Sequence, residues 1–506
     1  MSQLLHDPAP RSSHGAMATM SQKILTTLVL LVFPTCVSLA SPNTFIFNAL
    51  DKRSRTLSSI FALNSSSAEA AHWLGADADT SIYLNQTTSL WLFGDTLFGG
   101  FDSKTNTRMC TSSGGIWNMS CGFAHSTLGI LTQSSSLETN QRVAYDVEFF
   151  VNRTSDKAPV PFFSPPNTSS PNYWWVVSGV ASYATQDIVL MAQVIAPAPA
   201  VCFGFAVEGT ALISIDNVMD PLEQWKYSSM EVPGTGACTN WFVGMTHSDG
   251  KDSDEVYIVG TNGIASVDEH GCHVCSNSSV VLARANITDL RNLKWNDAVE
   301  FWCEDDSSDT SSSWFGASSS SGKWNSDCPN NKLRPLFTPT NCGSSNCPIS
   351  EMSLFYNFYL GRWYTFVVRG FGPHIDFWFS ESSDVTSSWD SQNVYTIEPP
   401  KSDLTVFMNY AAKAHPGLQL LSDELVFSFA TNALNIDTLA DEGMGSIYTP
   451  QLVSMQIAYA SSLMIILLSA MLSVFVLAGA TIAVVFVIRL RQNWTKNKLS
   501  DYAPLQ

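Results

Sequence analysis

Five times along this 506-residue chain, two apolar runs of strand length are joined by a short polar connection. The pairs are Ser81–Leu84 with Leu90–Phe93, Tyr173–Gly179 with Asp187–Val194, Asn240–Thr246 with Glu255–Gly260, Ser350–Tyr356 with Arg362–Val368, and Tyr410–His415 with Glu424–Phe429. Short runs rich in β-branched and aromatic residues, bounded by turn formers, read as strands. In three units a further strand, a polar bend and a Trp follow: Ile213–Ile215 before Trp225, Val281–Ala283 before Trp295, and Phe377–Phe379 before Trp389. A hairpin followed by two outer strands is one four-stranded unit. Five in series predict an all-β, five-bladed β-propeller over residues 71–453, its innermost strands starting around a central funnel. A two-sheet sandwich is the competing arrangement.

The first unit also carries the most chemistry. Gly75-Ala76-Asp77-Ala78-Asp79 leads into its first strand and Gly94-Asp95-Thr96 closes its second. Carboxyl groups at a strand mouth suit glycoside chemistry, which uses them as acid, base or nucleophile. They equally suit a tight turn, where Asp accepts backbone N–H groups. Glu351 holds the corresponding place at the start of the fourth unit.

The two ends of the chain predict a membrane glycoprotein. Lys23, the apolar run Ile24–Leu39 and the small residues up to Ala40 read as a signal peptide over residues 1–40, with a signal anchor as the alternative. Residues 41–70 are expected to be a leading strand and linker. Ile457–Ile488 holds no charged residue and is long enough to cross a bilayer as one C-terminal transmembrane α-helix. Arg489, Arg491, Lys496 and Lys498 follow it, so residues 489–506 are expected to be cytoplasmic and the large domain extracellular or lumenal, a type I arrangement. In that tail Tyr502–Leu505 has the Tyr-x-x-apolar form of an adaptor-binding sorting signal, which leaves plasma, endosomal and lysosomal membranes open as locations. N-x-S/T sites at Asn64, Asn85, Asn118, Asn152, Asn167, Asn277 and Asn286 agree with passage through a secretory pathway.

All the cysteines except Cys36 lie in the external segment. Their clustering predicts bridges Cys110–Cys121, Cys202–Cys238, Cys272–Cys275, Cys303–Cys328 and Cys342–Cys347, with zinc at Cys272-His273-Val274-Cys275 as a weaker reading. Asp305–Lys323, nearly all Ser, Asp, Gly and Thr, is expected to be a loop between the third and fourth units. A net charge of -18 with only 14% charged residues argues against nucleic acid as a partner.

The segments WLGADADTSIYL, LWLFGDT, SEMSLFYNFYLGRW, SSWDSQNVYTIEP and YAAKAHPGL resemble an uncharacterised family of five-bladed propellers related to glycoside hydrolases of the arabinanase and levansucrase type. That resemblance implies a funnel lined by carboxyl groups that works on a glycan without a cofactor, a central structural ion aside. Carried over residue by residue, Asp77 stands at the base or nucleophile position and Glu351 is the candidate acid, with Asp95 and His415 orienting a sugar or holding the funnel together. One departure stands out: where such propellers place a carboxylate in the second blade, this chain reads Trp175-Val176-Val177-Ser178-Gly179. The alternative is therefore a non-catalytic propeller that binds glycans or proteins, lined by aromatics such as Trp174, Trp175 and Trp241.

Overall fold

The computed structural model describes residues 45–61, 72–102, 104, 107–109, 122–134, 144–305 with short breaks at 151, 154–158, 167–169, 183–186, 200–203, 219, 237 and 251–252, then 322–339, 349–398, 407–433, 439 and 447–459, and scattered positions between 471 and 490. Phe47–Ile457 is one compact unit, and Met1–Ile46 with Ala458–Gln506 is a second.

Each expected hairpin is the leading pair of an antiparallel sheet. Thr80–Tyr83 pairs with Thr88–Phe93, which continues to Thr127–Ser134 and Ala144–Phe150. Tyr173–Ala181, Ile188–Pro197, Phe205–Ile215 and Tyr227–Glu231 form the second sheet in chain order. The third begins Thr239–His247, Glu255–Val267, His273–Asn286, and the fourth runs Phe355–Asn357, Arg362–Val368, His374–Ser380, Trp389–Thr396. In the fifth, Phe407–Ala414, Glu424–Ala433 and Gln451–Tyr459 are joined by the first strand of the chain, Phe45–Ala49. The linker expected after that strand holds a short helix, Asp51–Ser58, and a 3-10 turn whose Phe61 is buried. His72–Ala76 and Thr96–Asp102 make a small extra sheet beside the first one.

Consecutive sheets share cores, which explains why the second strands read as unbroken apolar runs: both faces of Ile188–Ile195 are buried. Ile82, Leu90 and Leu92 pack with Leu190 and Ile213, joining the first sheet to the second. Val177 and Met191 share a cluster with Trp241 and Val259, and that cluster extends to Trp363 and Trp378 of the fourth sheet. Phe366 stacks on Phe427 at 4.3 Å between ring centroids, and Trp91 shares a cluster with Val426 and Leu452, bringing the fifth sheet back onto the first. Outer strands are looser, as in Trp389–Thr396, where exposed and half-buried residues are mixed. Of the three expected Trp markers, Trp389 opens an outer strand, but Trp295 opens a short helix and Trp225 ends a 3-10 turn, and these two rings pack against the cores of their sheets instead of pairing in a strand.

The leading strands of all five sheets line one cavity of about 240 Å³. Thr80–Tyr83, Ser178–Ala181, Gly244–His247, Met352–Ser353 and Lys413–Ala414 each contribute to its wall. The domain is thus propeller-like and all-β.

Among the cysteines, Cys303–Cys328 forms as expected. Cys238, however, bonds Cys275, so neither of the expected pairs Cys202–Cys238 and Cys272–Cys275 forms. The long hairpin of the third sheet carries Cys275 back to the start of its leading strand, with 5.4 Å between the two Cα atoms. Cys272 is itself disulfide-bonded, which removes the thiolates a zinc site there needs. The expected Cys110–Cys121 and Cys342–Cys347 pairs lie outside the described residues, as do most of Asp305–Lys323, the signal peptide and Tyr502–Leu505. Asp305 and Lys323 themselves form an ion pair, 3.2 Å. Ile457, expected to open the membrane span, is instead buried in the strand Gln451–Tyr459 and donates its N–H to Asp423 O (2.8 Å). Most of the remaining span is outside the described residues, and among those described no helix is long and apolar enough to cross a membrane.

The disulfide Cys238–Cys275 closes a loop of sequence separation 37. Replacing both cysteines with Ser should cost about 2–4 kcal/mol of stability, measured by urea denaturation. A loss near zero would mean that the hairpin is held by its ladder alone.

Candidate functional site

Asp77 and Asp79 lie between His72–Ala76 and Thr80–Tyr83, where Ala78 adopts a left-handed φ of 57°. That conformation costs a non-glycine residue roughly 1–2 kcal/mol and turns the Ala78 carbonyl inward. It meets Lys413. The Lys413 ammonium donates to Ala78 O (3.0 Å), Thr80 Oγ1 (2.6 Å) and Val177 O (2.8 Å), so all three of its protons are used and the first, second and fifth sheets are tied together. Lys413 reaches inward because Phe407–Ala414 slips register between Tyr410 and Lys413, with Ala411 at φ 53°. Burial pulls its pKa down to about 8, while Glu351, Asp79 and Asp77 pull the other way.

Asp77 accepts three hydrogen bonds. Its Oδ1 accepts the Asp95 N–H (2.9 Å), and its Oδ2 accepts the Tyr410 hydroxyl (2.6 Å) and the Tyr448 hydroxyl (3.3 Å). Gly94 packs so close that a Cβ there would fall on Asp77 Oδ1. Burial raises the pKa of Asp77 well above the carboxyl range; Asp95, then Glu351 and Asp79 add to the rise, against the Tyr410 hydrogen bond. Asp79 is fully buried, and burial raises it to about 6 against the attraction of Lys413. Ser428 faces Asp79 but hydrogen-bonds His415 Nε2 (2.7 Å), and neither Asp79 oxygen closes a bond of normal geometry.

Glu351, buried at the entry to the fourth sheet, accepts the Gln193 amide N–H at 2.6 Å. Asp95 Oδ1 accepts from both His125 Nδ1 (2.6 Å) and Trp175 Nε1 (2.6 Å). His415 is fully buried between Ser81 Oγ (2.8 Å) and Ser428 Oγ, stacked on Trp91 at 4.6 Å. It braces the hub and has no surface to offer a sugar. Burial, and secondarily Lys413, lowers its pKa to about 3.

The structure therefore gathers Asp77, Asp79, Asp95 and Glu351 into one hub, close enough for each of the other three to act on Asp77. Trp174 and Trp241, expected to line a sugar surface, are buried core residues because their positions face neighbouring sheets; only Trp175 reaches the hub. Lys413, Tyr410, Tyr448, Gln193 and His125 went unrecognised in the sequence. Among the described residues, four of the seven non-glycine residues with positive φ, Ala78, Ser126, Ala411 and Tyr448, surround this hub. Strained backbone gathered in one place is a mark of functional sites.

Fold and hub together define the class: a propeller-like all-β protein with an acidic site built between its sheets. The chain belongs to the family described as Domain of unknown function (DUF5005), whose model matches residues 63–458. No curated protein matches it. A solved protein from Bacteroides ovatus, described provisionally as a hydrolase, is 14% identical with a TM-score of 0.54, covering 84% of this chain and 94% of its own; the likeness is one of fold. A family 117 glycoside hydrolase from Zobellia galactanivorans (8% identity, 82% and 90% coverage, TM-score 0.35) and a B. megaterium levansucrase variant (12%, 78% and 86%, 0.34) are more distant.

The stability supplied by a neutral His415 is complete above pH 6.5 and lost as the pH falls toward about 3, because the unfolded chain takes up the proton first. The stability advantage of the native protein over His415→Asn should therefore shrink through that window in urea denaturations at fixed pH. A pH-independent difference would contradict it.

Proposed function

We propose that the domain is a five-bladed propeller that hydrolyses glycosidic bonds at the hub of Asp77, Asp95 and Glu351. The observation that carries this reading is the concentration of carboxyl groups around Asp77, whose raised pKa suits a group that delivers a proton near neutrality. Five sheets whose leading strands wall one cavity, with the fifth packing back on the first, support the blade count.

The direction of that shift exchanges the roles suggested by the family resemblance. Asp77 becomes the proton donor to the leaving oxygen, fixed by Tyr410 and Tyr448. Burial and the nearby acids keep both phenols protonated, so they act as donors throughout. Glu351, oriented by Gln193, is assigned to stabilise the positive charge that develops in the oxocarbenium-like transition state. The substrate is a glycan. We place the domain outside the cytoplasm, anchored by the apolar segment that follows Tyr459, in keeping with its disulfides; the exposed sequons Asn85, Asn277 and Asn286 are available for glycosylation.

A second reading is favoured by one observation: among the described residues the second sheet offers the hub Gln193 and Trp175, and no carboxyl group. A glycan-binding domain without turnover would look the same there.

Full-length protein assayed on a panel of oligosaccharides should release reducing sugar, and Asp77→Asn or Glu351→Gln should each lower the rate by about 10²–10⁴ with the fold intact. Binding of the same oligosaccharides without turnover by the native protein would establish the second reading.

A further inference from the structure

If the hub is hydrolytic, a second proton-transfer group is needed to take the proton of the attacking water, and the second sheet supplies no carboxylate for it. His125 is built for that task. Its Nδ1 is held 2.6 Å from Asp95 Oδ1, and the ring stacks on Tyr173 at 3.7 Å with 13° between the planes, while Phe123 meets it edge-on at 5.1 Å. Asp95 is nearly sealed, its side chain 6% exposed, whereas the His125 side chain is 25% exposed. No hydrogen bond to Nε2 is made among the described residues.

The backbone that aims the ring is strained and heavily braced. Ser126, at φ 52°, donates its N–H to Gly94 O (3.0 Å) and its hydroxyl to Trp174 O, accepts Val176 N–H on Oγ (3.0 Å), and accepts Phe162 N–H on its carbonyl (3.0 Å). Four bonds to three different segments hold one unfavourable residue, and its effect is to set His125 over Asp95, whose own N–H grips Asp77. A carboxylate on Nδ1 fixes the tautomer in which Nε2 carries a lone pair, the arrangement by which an Asp orients a His base.

Resting on the hydrolytic reading, we propose that His125 is the general base: Nε2 takes a proton from water as the water oxygen bonds the anomeric carbon. The bond from that carbon to the leaving oxygen breaks in the same step, and the leaving oxygen takes the Asp77 proton. The cycle closes when the imidazolium returns its proton through solvent and Asp77 regains one. Electrons and protons balance with water as the only co-reactant.

The test uses the full-length protein. His125→Ala should lose about 10²–10⁴-fold in kcat with little change in KM or thermal unfolding. Added azide, a nucleophile that needs no deprotonation, should restore turnover and yield a glycosyl azide of inverted anomeric configuration. A His125→Ala rate equal to native, with Asp77→Asn and Glu351→Gln inactive, overturns the role of His125 and leaves the hydrolytic reading standing. A folded, inactive His125→Ala that azide fails to rescue also overturns it, making His125 a positioning residue. Absence of turnover by the native protein overturns both. Should His125→Ala not fold, ¹⁵N resonances of His125 in the native protein decide: oligosaccharides from the same panel should shift Nε2 more than Nδ1, and an unmoved Nε2 overturns the proposal.

Discussion

The buried ammonium of Lys413 is the interaction on which the hub depends. A charge removed from water is tolerated only when its protons are satisfied and opposite charge lies near, and removing one partner of such a pair leaves an uncompensated charge that costs several kcal/mol, about 3–5. Here three acceptors take the three protons, and they come from two sheets other than that of Lys413. Opposite charge comes from Glu351, Asp79 and Asp77. One cation thus permits several acids to be buried together and locks the leading strands in register around them.

Acid concentration and backbone strain are two sides of this arrangement. Ala78 turns its carbonyl to Lys413, Ala411 sits in the bulge that presents Tyr410 and Lys413, Tyr448 hydrogen-bonds Asp77, and Ser126 sets His125. None of the four residues is the glycine such backbone prefers, so each conformation is imposed by surrounding bonds. The strain is offset by the packing of whole sheets, as in the stack of Phe366 on Phe427. A rigid scaffold thereby holds carboxyl groups in positions their mutual repulsion opposes.

The hairpins were legible because strand patterns are local: apolar runs such as Leu90–Phe93 and Ile188–Val194 announce themselves within a few residues. The acidic pair at the first strand and Glu351 at the fourth were legible as strand entrances. Lys413 was not, since a lone Lys in an Ala-rich run reads as surface until the register slip turns it inward. Tyr410 and Tyr448 were hidden by distance, their partner Asp77 lying 333 and 371 residues away along the chain. His125 lies within Asp102–Asn140, a Ser-, Thr-, Gly- and Cys-rich stretch that reads as a surface insertion, yet part of it is the strand Thr127–Ser134 of the first sheet, and only the fold lays His125 across Asp95. Trp174 and Trp241 misled because their rings turn into the cores shared with neighbouring sheets, whereas Trp175, on the opposite face of the same strand as Trp174, reaches the hub. Neighbouring cysteines misled in the same way, as the long hairpin brings Cys275 to Cys238 across the sheet.

The central claim is that burial and three neighbouring acids hold a proton on Asp77 far above the ordinary carboxyl range. It is tested most directly by ¹³C titration of Asp-labelled protein, with Asp77→Asn used to assign the resonance. The hub predicts that the Asp77 carboxyl titrates well above about 3.9, and that Asp95→Asn brings the midpoint down by removing the largest of the repulsive charges. A midpoint at or below the ordinary value, unmoved in Asp95→Asn, would contradict it.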